Sequence, residues 1–249
     1  MNKRVIYTAA FGSNDKVQLM PQKKFDGIDF ICFTDRPRAA KGWKQIIVEP
    51  PMGDDNTRNN RYYKLQPHIA VPDYERSIYI DSNYIVVKLP ADFFTSAMQG
   101  KDMLVFDHAQ NTADPRDCVY EELKALEALQ QKNIVKDDLL VMQQQVNGFR
   151  EENYPEHNGL ISGAVLIRNH QKPAVQKLMN DWWQMVLNKS KRDQLSFNYV
   201  AWKNNFEYAI LPGDSRRGNP YFYYAGKGDK NLTYTLLKYK LRKLFKPAR

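Results

Sequence analysis

The chain of 249 residues contains only two cysteines, Cys32 and Cys118, and they do not form a Cys-x-x-Cys pair. This scarcity excludes a disulfide framework and a cysteine-rich zinc site, and it predicts two buried free thiols. No run of 18 apolar residues occurs, so no membrane-spanning helix is predicted, and residues 1–4 lead into a strand-like segment without a signal-peptide core. We therefore expect a soluble, cytoplasmic protein. A Gly-x-Ser-x-Gly motif and a His-x-x-x-His pair are also missing, which removes the sequence support for a lipid hydrolase.

The composition indicates a folded domain with a basic tail. Hydrophobic residues make up 43% of the chain and aromatic residues 12%, which is sufficient for a sizeable core in one large domain. We expect a single catalytic or binding domain over residues 1–231 and a separate tail over residues 232–249. The formal net charge is +9, and the last 12 residues contain six basic residues and no acid.

The tail has the pattern of a basic amphipathic helix. Helical spacing would gather Leu237, Leu241, Leu244 and Phe245 on one side, between the cations. Such a helix can lie on an anionic bilayer, which would make the protein peripheral on the inner face of a membrane; packing on its own domain is the alternative. The basic residues match no nucleic-acid-binding module, so we expect no nucleic acid partner.

Strand-like and helix-like segments alternate along the chain. Segments rich in β-branched and aromatic residues predict strands at 5–8, 30–34, 45–48, 78–80, 103–106, 160–167 and 208–211. Apolar periodicity and helix-start residues predict helices over 119–132, over 137–145 with Asp137 as the cap, from Pro173 onward, and over 192–202. This alternation predicts an α/β sandwich in which helices flank a central, mainly parallel sheet. Ligands in that architecture bind beyond the carboxyl ends of the strands.

Asp81 and Asn83 follow directly on the predicted strand 78–80. Period-two geometry places both side chains on one side of the strand, where their oxygens can converge on one cation or polar ligand. A carboxylate at the end of a buried strand needs such a partner, because an unpaired ion costs several kcal/mol to desolvate. An Asp that makes a turn or caps the next element is the alternative.

Six short motifs follow one another along the chain: YTAAFG at 7–12, ICFTD at 31–35, YKLQPH at 63–68, SIYIDSN at 77–83, CVYEE at 118–122 and SKRDQLSF at 190–197. Their order resembles that of the glycosyltransferase-like family of the plant mucilage and pectin proteins and their bacterial relatives, over about residues 5–200. The resemblance implies a GT-A-like nucleotide-sugar fold. It also implies a hexosyl- or related transferase that moves a sugar from a nucleotide-diphosphate donor to a hydroxyl of a glycan or lipid-linked acceptor in cell-surface polysaccharide synthesis. The alternative is a non-catalytic module of the same fold that binds nucleotide sugars or glycans at a membrane surface.

The resemblance places the nucleotide at the ends of the first two strands. Thr8, Ala10 and Phe11 then lie beside it, where small side chains and free backbone N–H groups allow close approach; an ordinary strand-to-loop transition is the alternative. Asp35 can accept a hydrogen bond from the base or the ribose, and turn capping before Pro37 competes with that role.

The resemblance also assigns residues to the diphosphate and its metal ion. Arg58, Arg61 and Lys64 recur at three-residue intervals, so a helix presents them as one cationic face; we select Lys64 first and Arg61 second, against solvated surface charge as the alternative. Mn or Mg would bind Asp81, with Asn83 as a neutral second ligand that weakens the hold on the ion. His108 is a third candidate ligand or an acceptor contact. In the family a histidine lies closer to the Arg-x-Cys-x-Tyr-Glu segment than it does here.

Asp193 and Gln194 are the candidate catalytic residues. A carboxylate over the reactive carbon of the sugar can act as a general base in an inverting enzyme, or can orient donor and acceptor in a retaining one. A simple helix cap is the alternative for Asp193. Gly163 follows Ser162 in a strand-like segment, where the missing side chain lets a sugar pass close to the backbone; a bulge or tight turn is the alternative.

Overall fold

The computed structural model describes residues 4–13, 17–90, 93–96, 98, 100–225, 233, 234, 237 and 241. The strands in this part of the chain are β1 (Arg4–Ala10), β2 (Ile28–Thr34), β3 (Lys44–Ile47), β4 (Arg76–Ile80), β5 (Tyr84–Val86), β6 (Met103–Asp107), β7 (Ile161–Arg168), β8 (Ala209–Leu211) and β9 (Phe222–Tyr224). The helices are α1 (Asn56–Leu65), α2 (Pro67–Ala70), α3 (Phe93–Ser96), α4 (Val119–Gln131), α5 (Leu139–Glu151), α6 (Pro173–Asn188) and α7 (Phe197–Lys203), with 3₁₀ turns at His108–Gln110 and Asp193–Leu195.

A seven-stranded sheet organises the described residues in the order β3-β2-β1-β4-β7-β6-β8. Neighbouring strands pair in parallel except at β7, which runs antiparallel to both β4 and β6. The carboxyl ends of the other six strands therefore meet at one edge of the sheet, and the beginning of β7 reaches that same edge. We call it the carboxyl edge.

Each face of the sheet is covered by a different apolar layer. Period-two alternation in β1 directs Tyr7 to a cluster that includes α1, α4, α5, α6 and α7, while Ile6 faces a second cluster that includes α3, β5 and β9. The side of α6 toward the sheet buries the predicted apolar positions Val175, Leu178, Met179, Trp182 and Val186. The predicted α/β sandwich, with a mainly parallel central sheet and flanking helices, is confirmed.

Most predicted elements are present, with small shifts in their bounds. β5 and β9 lie in segments for which no strand is predicted, and they pair with each other. Asp137 was the wrong cap for the second helix: the side chain of Asp138 accepts from Val141 N, whereas Asp137 accepts from Ser190 Oγ at 2.6 Å. Cys32 and Cys118 are buried free thiols, as predicted.

None of the helices within the described ranges has both the length and the apolar composition needed to cross a bilayer. The predicted boundary at residue 231 and most of the tail 232–249 lie outside the described residues. In the tail, Tyr234, Leu237 and Leu241 are helical and exposed.

Candidate active site

Asp193 forms a buried ion-pair cluster with Lys64 and Arg61 at the carboxyl edge. Its Oδ1 lies 3.1 Å from Arg61 Nε, and its Oδ2 accepts a hydrogen bond from Lys64 Nζ. The side chains of Asp193 and Lys64 are 5% and 2% exposed, and that of Arg61 is 17% exposed. Lys64 and Asp193 are 129 residues apart in the chain. We call these three residues the Asp193 cluster.

Helix α1 directs two of its three predicted cations toward this cluster. The helix begins at a cap in which the Asp55 side chain accepts from Arg58 N. Arg61 and Lys64 then lie on the side of the helix that meets Asp193. Arg58 pairs with Asp55 at 2.7 Å and donates to the carbonyl oxygens of Val186 and Lys189, so it fastens α1 to α6 instead.

The cluster sets the protonation of its members. Burial by itself would raise the pKa of Asp193, but the charges of Arg61 and Lys64 outweigh burial and hold that pKa far below its ordinary value. Burial lowers the pKa of Lys64, with Asp193 opposing the effect. The charges of Asp193 and Asp81 raise the pKa of Arg61 against the effect of burial. Asp193 is therefore a fixed anion and a weak base.

Gly163 makes room for this ion pair. The pairing between β6 and β7 shifts register between Val105, which faces Leu166, and Phe106, which faces Ser162, so residues 163–165 form a bulge without partners on β6. A β-carbon at position 163 would stand 3.2 Å from Lys64 Nζ and 3.4 Å from Asp193 Oδ2. A glycine here allows the lysine and the carboxylate to lie against the strand.

The backbone of Asp193 is held from two sides. Its carbonyl oxygen accepts from Trp182 Nε1 at 2.9 Å, and the neighbouring Gln194 Nε2 donates to the carbonyl oxygen of Ile161 at 2.9 Å. The predicted helix over 192–202 is wrong at its start, because these bonds hold Asp193–Leu195 as a 3₁₀ turn ahead of α7. Gln194 thus positions Asp193 relative to β7.

Asp81 and Asn83 form a turn at the end of β4. Asp81 N donates to Ala164 O, and Tyr84 N donates to Asp81 O, both at 2.9 Å. We call residues 81–84 the Asp81 turn. Within the described part of the chain, the Asp81 carboxylate and the Asn83 amide make no side-chain hydrogen bond or ion pair. The charge of Asp81 nevertheless contributes to the raised pKa of Arg61. Both side chains therefore offer uncommitted oxygen atoms at the carboxyl edge.

The family model described as "TOD1/MUCI70, glycosyltransferase-like domain" matches residues 32–212. The chain belongs to this family. The resemblance predicted from the six motifs is thereby confirmed.

No curated protein matches the chain. Among the solved structures that match, the crystal structure of mouse xyloside xylosyltransferase 1, apo form, covers 93% of this chain and 100% of that chain, with 12% identity and a TM-score of 0.47.

The TOD1/MUCI70 region includes a second buried charge network next to the Asp193 cluster. Glu122 of α4, which is 3% exposed at its side chain, lies 2.8 Å from Arg116 NH2 and 3.2 Å from Arg192 NH2. The charge of Arg192 also contributes to the lowered pKa of Asp193. From the sequence, Glu122 is an ordinary acidic residue in the first turn of a helix. Its local sequence does not predict the ion pairs with Arg116 and Arg192.

His108 belongs to this second network. Its Nε2 lies 3.3 Å from Arg116 NH2, and burial together with the charge of Arg116 lowers its pKa. A neutral imidazole that accepts from Arg116 at Nε2 carries its proton on Nδ1. The Nε2 lone pair is thus engaged by an arginine.

Another group of side chains in the described ranges has ligand atoms close enough to share a metal ion. Asp117, Glu121 and His157 place these atoms within 4.8 Å of one another, and Asp81 and His108 are not members of the group. His157 Nδ1 lies 2.7 Å from Asp117 Oδ1 at an exposed position.

Asp35 ties the ends of β1 and β2 together. Its carboxylate lies 3.0 Å from Arg36 NH2 and 2.8 Å from Arg38 NH2, and it accepts weakly from Gly12 N at 3.4 Å. Partial burial would raise the pKa of Asp35, but the hydrogen bonds from Arg36 and Gly12 lower it below the ordinary value. Arg38 also donates to Ala10 O at 3.0 Å, so Asp35 organises this corner through arginines.

The three predicted nucleotide contacts in β1 and just after it lie in the interior. Thr8, Ala10 and Phe11 are 0%, 1% and 1% exposed. Phe11 stacks on Tyr63 of α1 with ring centroids 5.5 Å apart, and the Thr8 hydroxyl has no hydrogen-bond partner among the described residues. A ligand at this corner would meet their backbone rather than their side chains.

Arg168 stabilises the backbone of Lys64, a member of the Asp193 cluster. This fully buried side chain donates to Lys64 O at 2.7 Å and to the Tyr7 hydroxyl at 2.6 Å. A cation at the last carbonyls of α1 is favoured by the helix dipole. An arginine near the end of a strand gives no signal of this role in the sequence.

Proposed function

We propose that this chain is a glycosyltransferase that moves a sugar from a nucleotide-diphosphate donor to a hydroxyl of a glycan or lipid-linked acceptor in cell-surface polysaccharide synthesis. Membership of the TOD1/MUCI70 glycosyltransferase-like family supports the reaction class. The observation that carries the proposal is the Asp193 cluster, buried at the edge of the sheet where ligands of α/β folds bind.

The four charged groups at the centre of the site neutralise one another. Arg61 and Lys64 supply two positive charges, and Asp193 and Asp81 supply two negative ones. A departing nucleoside diphosphate brings additional negative charge, which this set alone does not offset. Electrostatic stabilisation of that leaving group is the largest task in such a transfer, so a further cation is needed.

We propose Mn or Mg as that cation, held by Asp81 and Asn83. Their uncommitted carboxylate and amide oxygens suit a hard divalent ion, with the remaining ligands supplied by phosphate. When bound, the ion would neutralise charge on the diphosphate. The engagement of His108 Nε2 by Arg116 disfavours metal ligation by that nitrogen.

Asp193 would act as a fixed negative charge beside the reacting sugar. A carboxylate whose pKa is held far below its ordinary value abstracts a proton poorly, which favours orientation of donor and acceptor over general-base catalysis. Arg61 is the more exposed of the two cations and is placed to reach phosphate oxygens. Lys64 then fixes Asp193, and the missing side chain of Gly163 leaves the space that this ion pair fills, so a sugar would meet the pair rather than the glycine backbone.

We also propose that the tail holds the protein on the inner face of a membrane. Tyr234, Leu237 and Leu241 are 55%, 53% and 45% exposed and share a helical spacing, and basic residues lie between and after them. Deletion of residues 232–249 should remove binding to vesicles that contain anionic lipid. Equal binding of the intact and shortened chains would contradict the role of the tail.

A thermal-shift screen of nucleoside diphosphates and their sugars, with and without Mn, tests the donor class. We expect one nucleoside diphosphate to stabilise the protein selectively, and the matching nucleotide sugar to release that diphosphate when acceptor is supplied. If a nucleotide sugar stabilises the protein but no nucleoside diphosphate is released, even by slow hydrolysis of the donor, the protein is the non-catalytic binding module. No stabilisation by any member of the panel would refute both.

A further inference from the structure

The loop between β8 and β9 is fixed from inside by buried polar side chains. Asp214 accepts from Thr112 N at 3.0 Å, from Thr112 Oγ1 at 2.9 Å and from Arg216 N at 2.8 Å. Asn219 donates to the carbonyl oxygens of Asp214 and Ser215. Asp214, Ser215 and Asn219 are all buried. The backbone that carries residue 216 is therefore preorganised.

This loop borders the candidate active site. It begins at the carboxyl end of β8, and Ser215 Oγ lies 3.1 Å from Ser162 Oγ at the start of β7. Ser162 precedes Gly163, which contacts the Asp193 cluster. The loop thus adjoins the cluster on the side of β7.

Arg216 connects the loop to the Asp81 turn through two aromatic rings. Its guanidinium carbon lies 5.7 Å from the ring centroid of Tyr224, and the Tyr224 ring packs edge-on against Tyr84 at 5.5 Å. Tyr84 N in turn donates to Asp81 O at 2.9 Å. Arg216 also opposes the rise that burial causes in the pKa of Tyr84. The guanidinium therefore lies on the side of the turn where Tyr84 and Tyr224 pack.

Arg216 is exposed and has no carboxylate partner within the described ranges. The guanidinium lies over the face of the Tyr224 ring, within the range of a cation–π contact, and this contact uses none of its N–H donors in a hydrogen bond. A planar fork of N–H donors matches phosphate oxygens in pairs. An arginine held by an aromatic ring that packs on the Asp81 turn is suited to bind an oxyanion near that turn.

We propose that Arg216 binds the diphosphate of the donor, from the loop between β8 and β9, in addition to Arg61 from α1. The inference rests on the proposed function, because it assigns a second cation to the same leaving group. Arg217 is the natural comparison. It is exposed on the same loop and carries the same charge, but makes no ring contact or ion pair among the described residues.

The test compares the full-length protein with its Arg216→Ala, Arg216→Lys and Arg217→Ala variants by calorimetry at constant Mn. The probes are the nucleoside diphosphate selected in the screen, inorganic pyrophosphate and the corresponding nucleoside without phosphate. We expect Arg216→Ala to weaken binding of both phosphate-containing probes about tenfold or more, and Arg216→Lys to weaken it less, because an ammonium keeps the charge but loses the fork. Arg217→Ala should change each affinity less than about twofold.

Affinity for the nucleoside should be the same in all four proteins. Diphosphate affinities that are equal in the parent and in Arg216→Ala would overturn the inference and leave the proposed function standing. An equal loss in Arg217→Ala would also overturn it, since net charge alone would then explain the effect. Failure of the parent protein to bind any nucleoside diphosphate would instead refute the proposed function. Melting temperatures of the variants check that each one folds.

Discussion

Gly163 and Lys64 fit against each other so closely that a single added methyl group would stand 3.2 Å from the lysine ammonium nitrogen. One residue lies in a bulge of β7 and the other on α1, and both meet Asp193. The space that the glycine leaves is thus part of the charge arrangement of the site.

Gly163→Ala should lower turnover at least about tenfold while changing the free energy of unfolding little, because the new methyl group shifts the Lys64–Asp193 pair by a few tenths of an ångström without breaking it. Gly148→Ala is the matched control. Gly148 lies in α5 with no atom within 4 Å of an added β-carbon, so this change should stabilise the protein by about 0.5–1 kcal/mol and leave activity unchanged. Steady-state kinetics and urea unfolding measure both effects. Full activity in Gly163→Ala would show that the pair tolerates movement.

Asp193→Asn should abolish turnover and reduce the free energy of unfolding by about 3 kcal/mol, because Lys64 and Arg61 lose their carboxylate in a buried place. The double variant Asp193→Asn, Lys64→Met removes one of the unpaired charges and should regain part of the stability but none of the activity. Asp181→Asn, at a surface pair with Lys177, should cost less than about 0.5 kcal/mol. An active Asp193→Asn protein would exclude a role for this carboxylate in the reaction.

Asp81→Asn should remove the stabilisation that Mn gives to the nucleotide-bound protein, which is about 2.7 kcal/mol when the ion is at 100 times its Kd. Asp117→Asn tests the other group of candidate ligands, Asp117, Glu121 and His157, and should keep the full effect. Thermal unfolding with and without Mn measures the difference. If Asp117→Asn loses the stabilisation by Mn and Asp81→Asn keeps it, the metal site lies at the Asp117 group instead.

Stability should fall as the pH drops from about 6.5 towards 4, in part because of His170. Burial and the charge of Arg168 lower the pKa of His170 to about 4. The unfolded chain has the ordinary pKa of about 6.5 and binds more protons in this window, so the stabilisation is complete above pH 6.5 and is lost on acidification, by at most about 1.4 kcal/mol per pH unit.

His170→Asn should flatten this pH dependence when urea unfolding is followed between pH 7 and pH 4.5. His68 and His108 also have lowered pKa values and contribute with the same sign, so part of the slope will persist. Identical slopes in the two proteins would mean that His170 does not titrate on unfolding.

The fold and the centre of the site follow from patterns that the sequence contains. Alternating apolar strands and periodic helices define an α/β sandwich, and the three-residue spacing of Arg61 and Lys64 places them on one side of α1. The order of the six motifs identifies the family correctly, and Asp193 lies beside the cations expected to bind diphosphate.

Other features depend on contacts that no local pattern encodes. Arg58 has the same spacing as Arg61, but it pairs with Asp55 and donates to a carbonyl oxygen of α6, because its side chain extends toward α6 and not toward Asp193. The depressed pKa of Asp193, which disfavours a general base, arises mainly from Arg61 and Lys64, which lie more than a hundred positions away in the chain. Arg216 resembles Arg217 in sequence, and its contact with Tyr224 becomes visible only in the folded structure.

The long separation between Lys64 and Asp193 has a consequence for biosynthesis. During translation, α1 leaves the ribosome well before the turn that carries Asp193, so a nascent chain that stops short of residue 193 holds two cations without the carboxylate that pairs with both of them in the folded protein. Docking of α1 on the sheet should therefore await the last third of the chain. Prematurely terminated products should stay open in this region and be readily degraded by proteases.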